Sequence, residues 1–166
     1  MKTLLLMRHA KSSWDLPQQK DFDRPLNERG RKAAPLMGRY LRRQKMRPDL
    51  VLCSPAERAR QTAELFITAA HLTNELRFDE RIYDASADNL LQVVAQVEDE
   101  ARAVLVIGHN PGMEELILRL TGHIQRMPTA ALAVIELNIE RWADARAMSG
   151  QLVWLKRPKE LKTNDE

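Results

Sequence analysis

AVLVIGHNPG, residues 103–112, sets five unbroken apolar residues before a glycine and a histidine, then breaks on Asn-Pro. A run with no polar alternation suits a strand covered on both faces, as in a parallel sheet flanked by helices. Ala103–Ile107 therefore reads as the most buried strand of the chain. Asn110-Pro111 reads as a helix start, with Met113, Leu116, Ile117 and Leu120 facing inward at helical spacing. His109 is left where strand gives way to helix.

The same order of parts occurs twice upstream. Thr3–Met7 reads as a strand and is followed at once by Arg8 and His9. Asp49–Cys53 reads as a strand and is followed by Ser54-Pro55-Ala56-Glu57-Arg58. There Ser54 is expected as the N-cap, Pro55 as the first helical residue and Glu57 as the capping-box partner. Helices are expected over Asn27–Arg43, with Asn27 as N-cap and Pro35 as a kink or late start, and over Asp88–Val97. A weak strand signal lies at Arg77–Phe78. Ala131–Leu137 and Gln151–Leu155 read as strands closing one edge, joined by a loop or wide turn over residues 138–150. The alternation predicts an α/β domain in three layers, α/β/α, with a mostly parallel central sheet. One domain is expected over residues 1–157, with a polar tail over 158–166 that frays.

Composition bounds what such a domain does. The chain has 166 residues, 44% hydrophobic and 30% charged, which fits a single soluble globular domain with a core of its own. The formal charge is +3, and the basic residues between Arg29 and Arg47 are interleaved with Leu36, Met37, Tyr40 and Leu41. That is a solvated helix face, so no nucleic-acid partner is expected. The single cysteine, Cys53, lies in an apolar run, which excludes a disulfide within the chain and suits a buried residue in a reducing compartment. No signal-like segment and no apolar run of about 20 residues is present. A cytoplasmic protein without membrane contact is expected, as a monomer or weak dimer.

In open α/β sheets ligands bind outside the carboxyl ends of the strands. The three strand ends would deliver Arg8, His9, Arg58 and His109 to that edge. Arg58 falls in the first turn of its helix, where the dipole disfavours a cation. A bound anion would account for it, and the same turn offers free N–H groups to that anion. Guanidinium forks match phosphate oxygens. A neutral imidazole can attack phosphorus, and a second, charged one can stabilise the equatorial oxygens. A metal centre fits less well: the two histidines lie 100 residues apart, no His-x-x-x-His or Cys-x-x-Cys pair occurs, and two arginines would oppose a cation. The G-x-x-x-x-G-K-[ST] loop is absent, and Gly108 and Gly112 do not form G-x-G-x-x-G.

With these residues in place, the sequence resembles the histidine phosphatase, or phosphoglycerate mutase-like, superfamily. MRHAKSSW (7–14) is similar to its Arg-His signature, with Ala10 where many members have glycine. LNERGRKAA (26–34) is similar to its first-helix motif, SPAERARQTA (54–63) to its second-arginine motif and VIGHNPG (106–112) to its second-histidine motif. The likeness runs from Met1 to about Leu120 and is greatest to the small SixA-like phosphohistidine phosphatases. It implies a phosphoglycerate mutase-like fold and a metal-independent phosphatase with no cofactor. It further implies His9 as the phosphoryl-accepting nucleophile, Arg8 and Arg58 as phosphate clamps, and His109 as the fourth core residue.

Larger members of that family use a carboxylate as general acid. In RFDERIYDAS (77–86) Glu80 is the first candidate and Asp79 the second, with Asp84 also present. Asp15, Asp21 and Asp23, in the long loop after His9, are further candidates. A phosphoramidate nitrogen can be protonated before cleavage, so a SixA-like enzyme can dispense with a strong acid. The loop from Ala10 to Leu26 is long enough to be functional. Lys11, Ser12 and Ser13 at its root are placed to touch phosphate. Trp14 and Phe22 are expected to pack into the core, and Asn110 to cap its helix. The chain has no insertion large enough for a lid, so the pocket should admit a phosphorylated protein side chain. A small phosphorylated molecule, handled by a phosphatase or mutase, is the alternative substrate, and a non-catalytic phospho-ligand module the alternative class. If His9 works neutral and His109 charged, the pH–rate profile is bell-shaped.

Overall fold

The computed structural model describes residues 1–73 and 75–161. Within them, six strands form one sheet: β1 (Lys2–Arg8), β2 (Leu50–Cys53), β3 (Glu75–Phe78), β4 (Ala103–Gly108), β5 (Leu132–Leu137) and β6 (Gly150–Lys156). Their order is β3-β2-β4-β1-β5-β6. β3, β2, β4 and β1 run parallel, and β5 is antiparallel to both β1 and β6. The helices are α1 (Glu28–Arg43), α2 (Glu57–Ala70), α3 (Ala87–Ala95) and α4 (Gly112–Thr121). The fold is three-layered α/β, as expected.

Alternation along each strand divides the core in two. Leu4, Leu6, Leu52, Val104 and Val106 pack with Leu90, Val94, Met113 and Leu116 of α3 and α4. Leu5, Met7, Val51, Cys53, Leu105 and Ile107 pack with Met37, Leu41, Ala63 and Phe66 of α1 and α2. Both faces of the central strands are thus apolar, which explains their unbroken hydrophobic runs. Burying these side chains is the main favourable contribution to folding, at roughly 1.5–3 kcal/mol for each fully buried Leu, Val, Ile or Met.

Register places the site. Met7 lies opposite Ile107, and Ile107 opposite Cys53 on its other side. The chain therefore leaves β1, β4 and β2 at one height, carrying Arg8-His9, Gly108-His109 and Ser54 to a common edge. Hydrogen bonds from His9 N to the Gly108 carbonyl, 2.9 Å, and from Ser54 N to the Ile107 carbonyl, 3.0 Å, tie the three exits together.

Several local expectations change. α2 begins at Glu57 with Ala56 as an N-cap that makes no side-chain bond; Ser54 lies too far upstream to cap it. α1 runs unbroken through Pro35, because its buried face of Ala34, Met37 and Leu41 outweighs one missing hydrogen bond. Asn27 does cap α1, accepting from Gly30 N at 2.9 Å. Residues 138–149 are more ordered than a plain loop: Trp142 is fully buried in a 3-10 turn and donates from its indole to the Ala101 carbonyl at 2.7 Å. At the C-terminus, Lys156 closes β6, Pro158–Glu160 forms a 3-10 turn, and Leu161 packs against the α1–α2 core; residues 162–166 of the expected tail lie outside the described residues. Among the described residues no helix is long and apolar enough to cross a membrane.

Candidate active site

Arg8, His9, Arg58 and His109 line one cavity of about 230 Å³ at the strand-end edge. Lys11, Ser12, Trp14, Arg24, Asn110 and Thr129 complete its walls. The rings of His9 and His109 lie 5.1 Å apart between centroids.

His9 is held in one tautomer. Its Nδ1 lies 2.7 Å from the Ala10 carbonyl, an acceptor only, so Nδ1 carries the proton and donates. Nε2 is then a lone-pair nitrogen, and the Arg58 Nε–H is directed at it from 3.4 Å. Ala10 is in turn fixed: its N–H donates to the Thr62 hydroxyl of α2 at 3.0 Å. The root of the following loop is pressed onto α1, since a Cβ on Gly30 would fall 2.1 Å from the Lys11 carbonyl oxygen. Only glycine permits that approach.

His109 is held from the other side. The Ser54 hydroxyl accepts the Ala56 N–H at 3.2 Å and lies 2.8 Å from His109 Nε2. The hydroxyl keeps its own hydrogen and a second lone pair for Nε2, so it pairs with either neutral tautomer of the ring. The ring Nδ1 is a buried atom with no partner among the described residues. The Arg8 Nε is likewise buried and unpartnered, while its NH1 donates to the Met127 carbonyl at 3.1 Å. An orphan guanidinium donor and an unpartnered imidazole nitrogen on residues lining one cavity suit an anionic ligand with several acceptor oxygens.

The electrostatics are those of a cationic pocket that keeps its imidazoles neutral. Burial, then the neighbouring His109 ring and the two guanidiniums, pushes His9 down to about 3. Burial, then Arg58, pushes His109 down to about 4. The expectation of a charged His109 is therefore corrected for the free protein: burial and Arg58 hold it neutral, and it offers an N–H donor without carrying charge.

The carboxylates are arranged differently from expectation. Glu80 is exposed, at the head of a 3-10 turn, and does not line the cavity. Asp79 is bound to Arg81, and Asp84 is exposed. Asp21 is the one that reaches the site residues. Its Oδ2 accepts from Arg58 at 3.1 Å and from the Tyr83 hydroxyl at 2.7 Å, and its Oδ1 accepts from Arg24 at 3.1 Å. Its backbone carbonyl also accepts from Arg58, at 2.7 Å. Burial alone would raise the Asp21 carboxyl, but the Tyr83 hydroxyl and the two arginines outweigh it and bring it down to about 2. It is a counter-charge that orients two guanidiniums.

Arg24 and Tyr83 were not singled out in the sequence. Arg24 is 7% exposed and also donates to the Ser12 hydroxyl at 2.8 Å. Tyr83 places its ring edge-on to both His109 and Phe22. A buried arginine in a polar loop is the one signal that could have marked Arg24, and burial is not legible there. Trp14 and Phe22 are not core residues: they are 72% and 38% exposed, since the loop stands on Arg24 and Tyr83 and not on the apolar core. Asn110 does not cap α4, which begins after Pro111; its amide donates to Glu114 and to the Met127 carbonyl, bracing the 127–129 wall. Among the described residues no group of three or more His, Cys, Asp or Glu is placed to hold a metal ion.

A profile of the histidine phosphatase superfamily, branch 1, matches residues 4–90. An uncharacterized protein of Mycobacterium leprae is 35% identical over 161 residues, covering 89% of this chain and 96% of its own. Among solved structures, a candidate phosphohistidine phosphatase SixA from Nakamurella multipartitia is similar with a TM-score of 0.83 at 30% identity, covering 95% of this chain and 96% of its own. The protein histidine phosphatase SixA complexed with tungstate is similar with a TM-score of 0.84 at 26% identity, covering 96% and 99%.

Proposed function

The chain belongs to the histidine phosphatase superfamily and is a phosphatase, and from that premise we propose that it dephosphorylates phosphohistidine side chains of a protein through a covalent intermediate on His9. The observation that carries the choice of substrate is the absence of carboxylates from the cavity wall among the described residues. Asp21, the carboxylate bonded to Arg58, is charged and takes hydrogen bonds from Arg58, Arg24 and Tyr83, and Glu114 is bonded to the Asn110 amide behind the wall.

A sugar or serine alkoxide is a poor leaving group and needs a proton delivered as its bond to phosphorus breaks. Phosphohistidine does not: its second ring nitrogen takes a proton from water beforehand, and the ring departs as neutral imidazole. A cationic pocket without an acid is sufficient for that substrate.

The geometry supports the following steps. Arg8 and Arg58 hold the phosphoryl oxygens with charge-assisted bonds. In this mechanism Ser54 donates to His109 Nε2, which puts the ring proton on Nδ1, and that N–H and the unpartnered Arg8 Nε–H are the spare donors for those oxygens. His9 Nε2 attacks phosphorus as the bond to the substrate nitrogen breaks, and that electron pair leaves with the imidazole. The Ala10 carbonyl stabilises the positive charge that develops on the His9 ring, through the Nδ1–H. Water then attacks phosphorus, the pair returns to Nε2, and inorganic phosphate departs.

The test is a substrate panel read against His9→Ala: phosphohistidine protein, sugar phosphates, nucleotides and an aryl phosphate. Phosphohistidine is expected to give the highest kcat/KM, lost in His9→Ala. Efficient hydrolysis of sugar phosphates with phosphohistidine untouched overturns the substrate assignment.

A further inference from the structure

One wall of the cavity takes no part in the phosphoryl chemistry. Trp14 leaves 72% of its surface open, yet it lines the same cavity as His9 and His109. One face of its indole is covered: the Arg24 guanidinium carbon lies 3.5 Å from the ring centroid. Arg24 is itself pinned by Asp21 and by the Ser12 hydroxyl. The indole thus rests on a fixed, buried cation, and most of its surface stays open beside the cavity it helps to line.

We propose that the free face of Trp14 is a leaving-group subsite for a flat aromatic ring, the imidazole of phosphohistidine. This rests on the phosphohistidine reading above. Offset stacking needs a planar partner, and imidazole offers one while an alkoxide or simple amine does not. The subsite discriminates among leaving groups, and the arginines and histidines below it grip the phosphoryl group common to all substrates.

The experiment compares kcat/KM of the intact protein for phosphohistidine and for phosphoramidate, which has the same P–N bond and no ring. Trp14→Ala is expected to lower the ratio of the two by about threefold to tenfold, and Trp14→Phe to restore most of it. A displaced Arg24 would slow both substrates together, so a parallel loss overturns the subsite, as does an unchanged ratio. If the wild-type protein cleaves neither P–N substrate, the phosphohistidine reading is what has failed. The ratio is then read for phenyl phosphate over glycerol phosphate: a selective fall in Trp14→Ala upholds an aromatic subsite, and a parallel fall overturns it.

Discussion

The Ser54 hydroxyl lies 2.8 Å from Nε2 of His109, across 55 positions of sequence and from the end of one strand to the end of another. In the proposed mechanism it donates to Nε2 and so holds the ring proton of His109 on Nδ1. Ser54 is wholly buried, and the two exits that carry these residues are locked in register by the pairing of Cys53 with Ile107.

Ser54→Ala removes that control without emptying the phosphate cradle. The tautomer with its proton on Nδ1 loses its support, and half-correct rings bind phosphoryl oxygens poorly. A fall of about tenfold in kcat/KM is expected, the worth of one buried hydrogen bond. Steady-state kinetics measure it. A variant within twofold of wild type would mean that His109 is oriented by other contacts.

Two of the acid candidates, Asp21 and Glu80, separate cleanly. Asp21→Asn keeps the shape but removes the counter-charge between Arg58 and Arg24, so KM is expected to rise about tenfold while kcat changes less. Glu80→Gln, on an exposed side chain outside the cavity, is expected to stay within twofold of wild type. If either residue were a general acid, its amide variant would lose about a hundredfold or more in kcat on an aryl or alkyl phosphate and spare phosphohistidine.

Acid sensitivity of the fold follows from the two buried rings. His9 and His109 titrate at about 3 and about 4 in the folded chain, against an ordinary 6.5 once unfolded. Between those values the unfolded chain binds more protons, so stability is full above about pH 6.5 and is lost as pH falls toward 4 and then 3. Urea unfolding midpoints should drop between pH 7 and pH 4.5, and His9→Gln should shallow that drop. An identical pH dependence in His9→Gln would mean that the His9 ring is not held neutral by burial.

Much of the architecture was legible because it is written locally. Three unbroken apolar runs named β1, β2 and β4, and the polar residues just after them named Arg8, His9, Arg58 and His109. β3 was faint, because at the sheet edge it exchanges apolar residues for Arg77, which is paired with Glu75 and Glu98. Ser54 reads as a cap because Ser-Pro before an acidic residue is a sound local rule, but α2 starts only at Glu57, and the hydroxyl accepts the Ala56 N–H and meets His109 across 55 positions. The Asp21–Arg58–Arg24–Tyr83 network was out of reach for the same reason. Its members come from the loop after β1, from α2 and from the 3-10 segment after β3, and only the folded chain brings them together.

In the proposed mechanism His9 Nε2 is the atom that takes the phosphoryl group. The direct measurement is rapid alkaline quenching of the wild-type protein during turnover of radiolabelled phosphohistidine protein, followed by peptide mapping. Label is expected on His9, stable to alkali, lost in acid, and absent from His9→Ala, which should not turn over. Label on another residue, or full turnover by His9→Ala, would contradict the account.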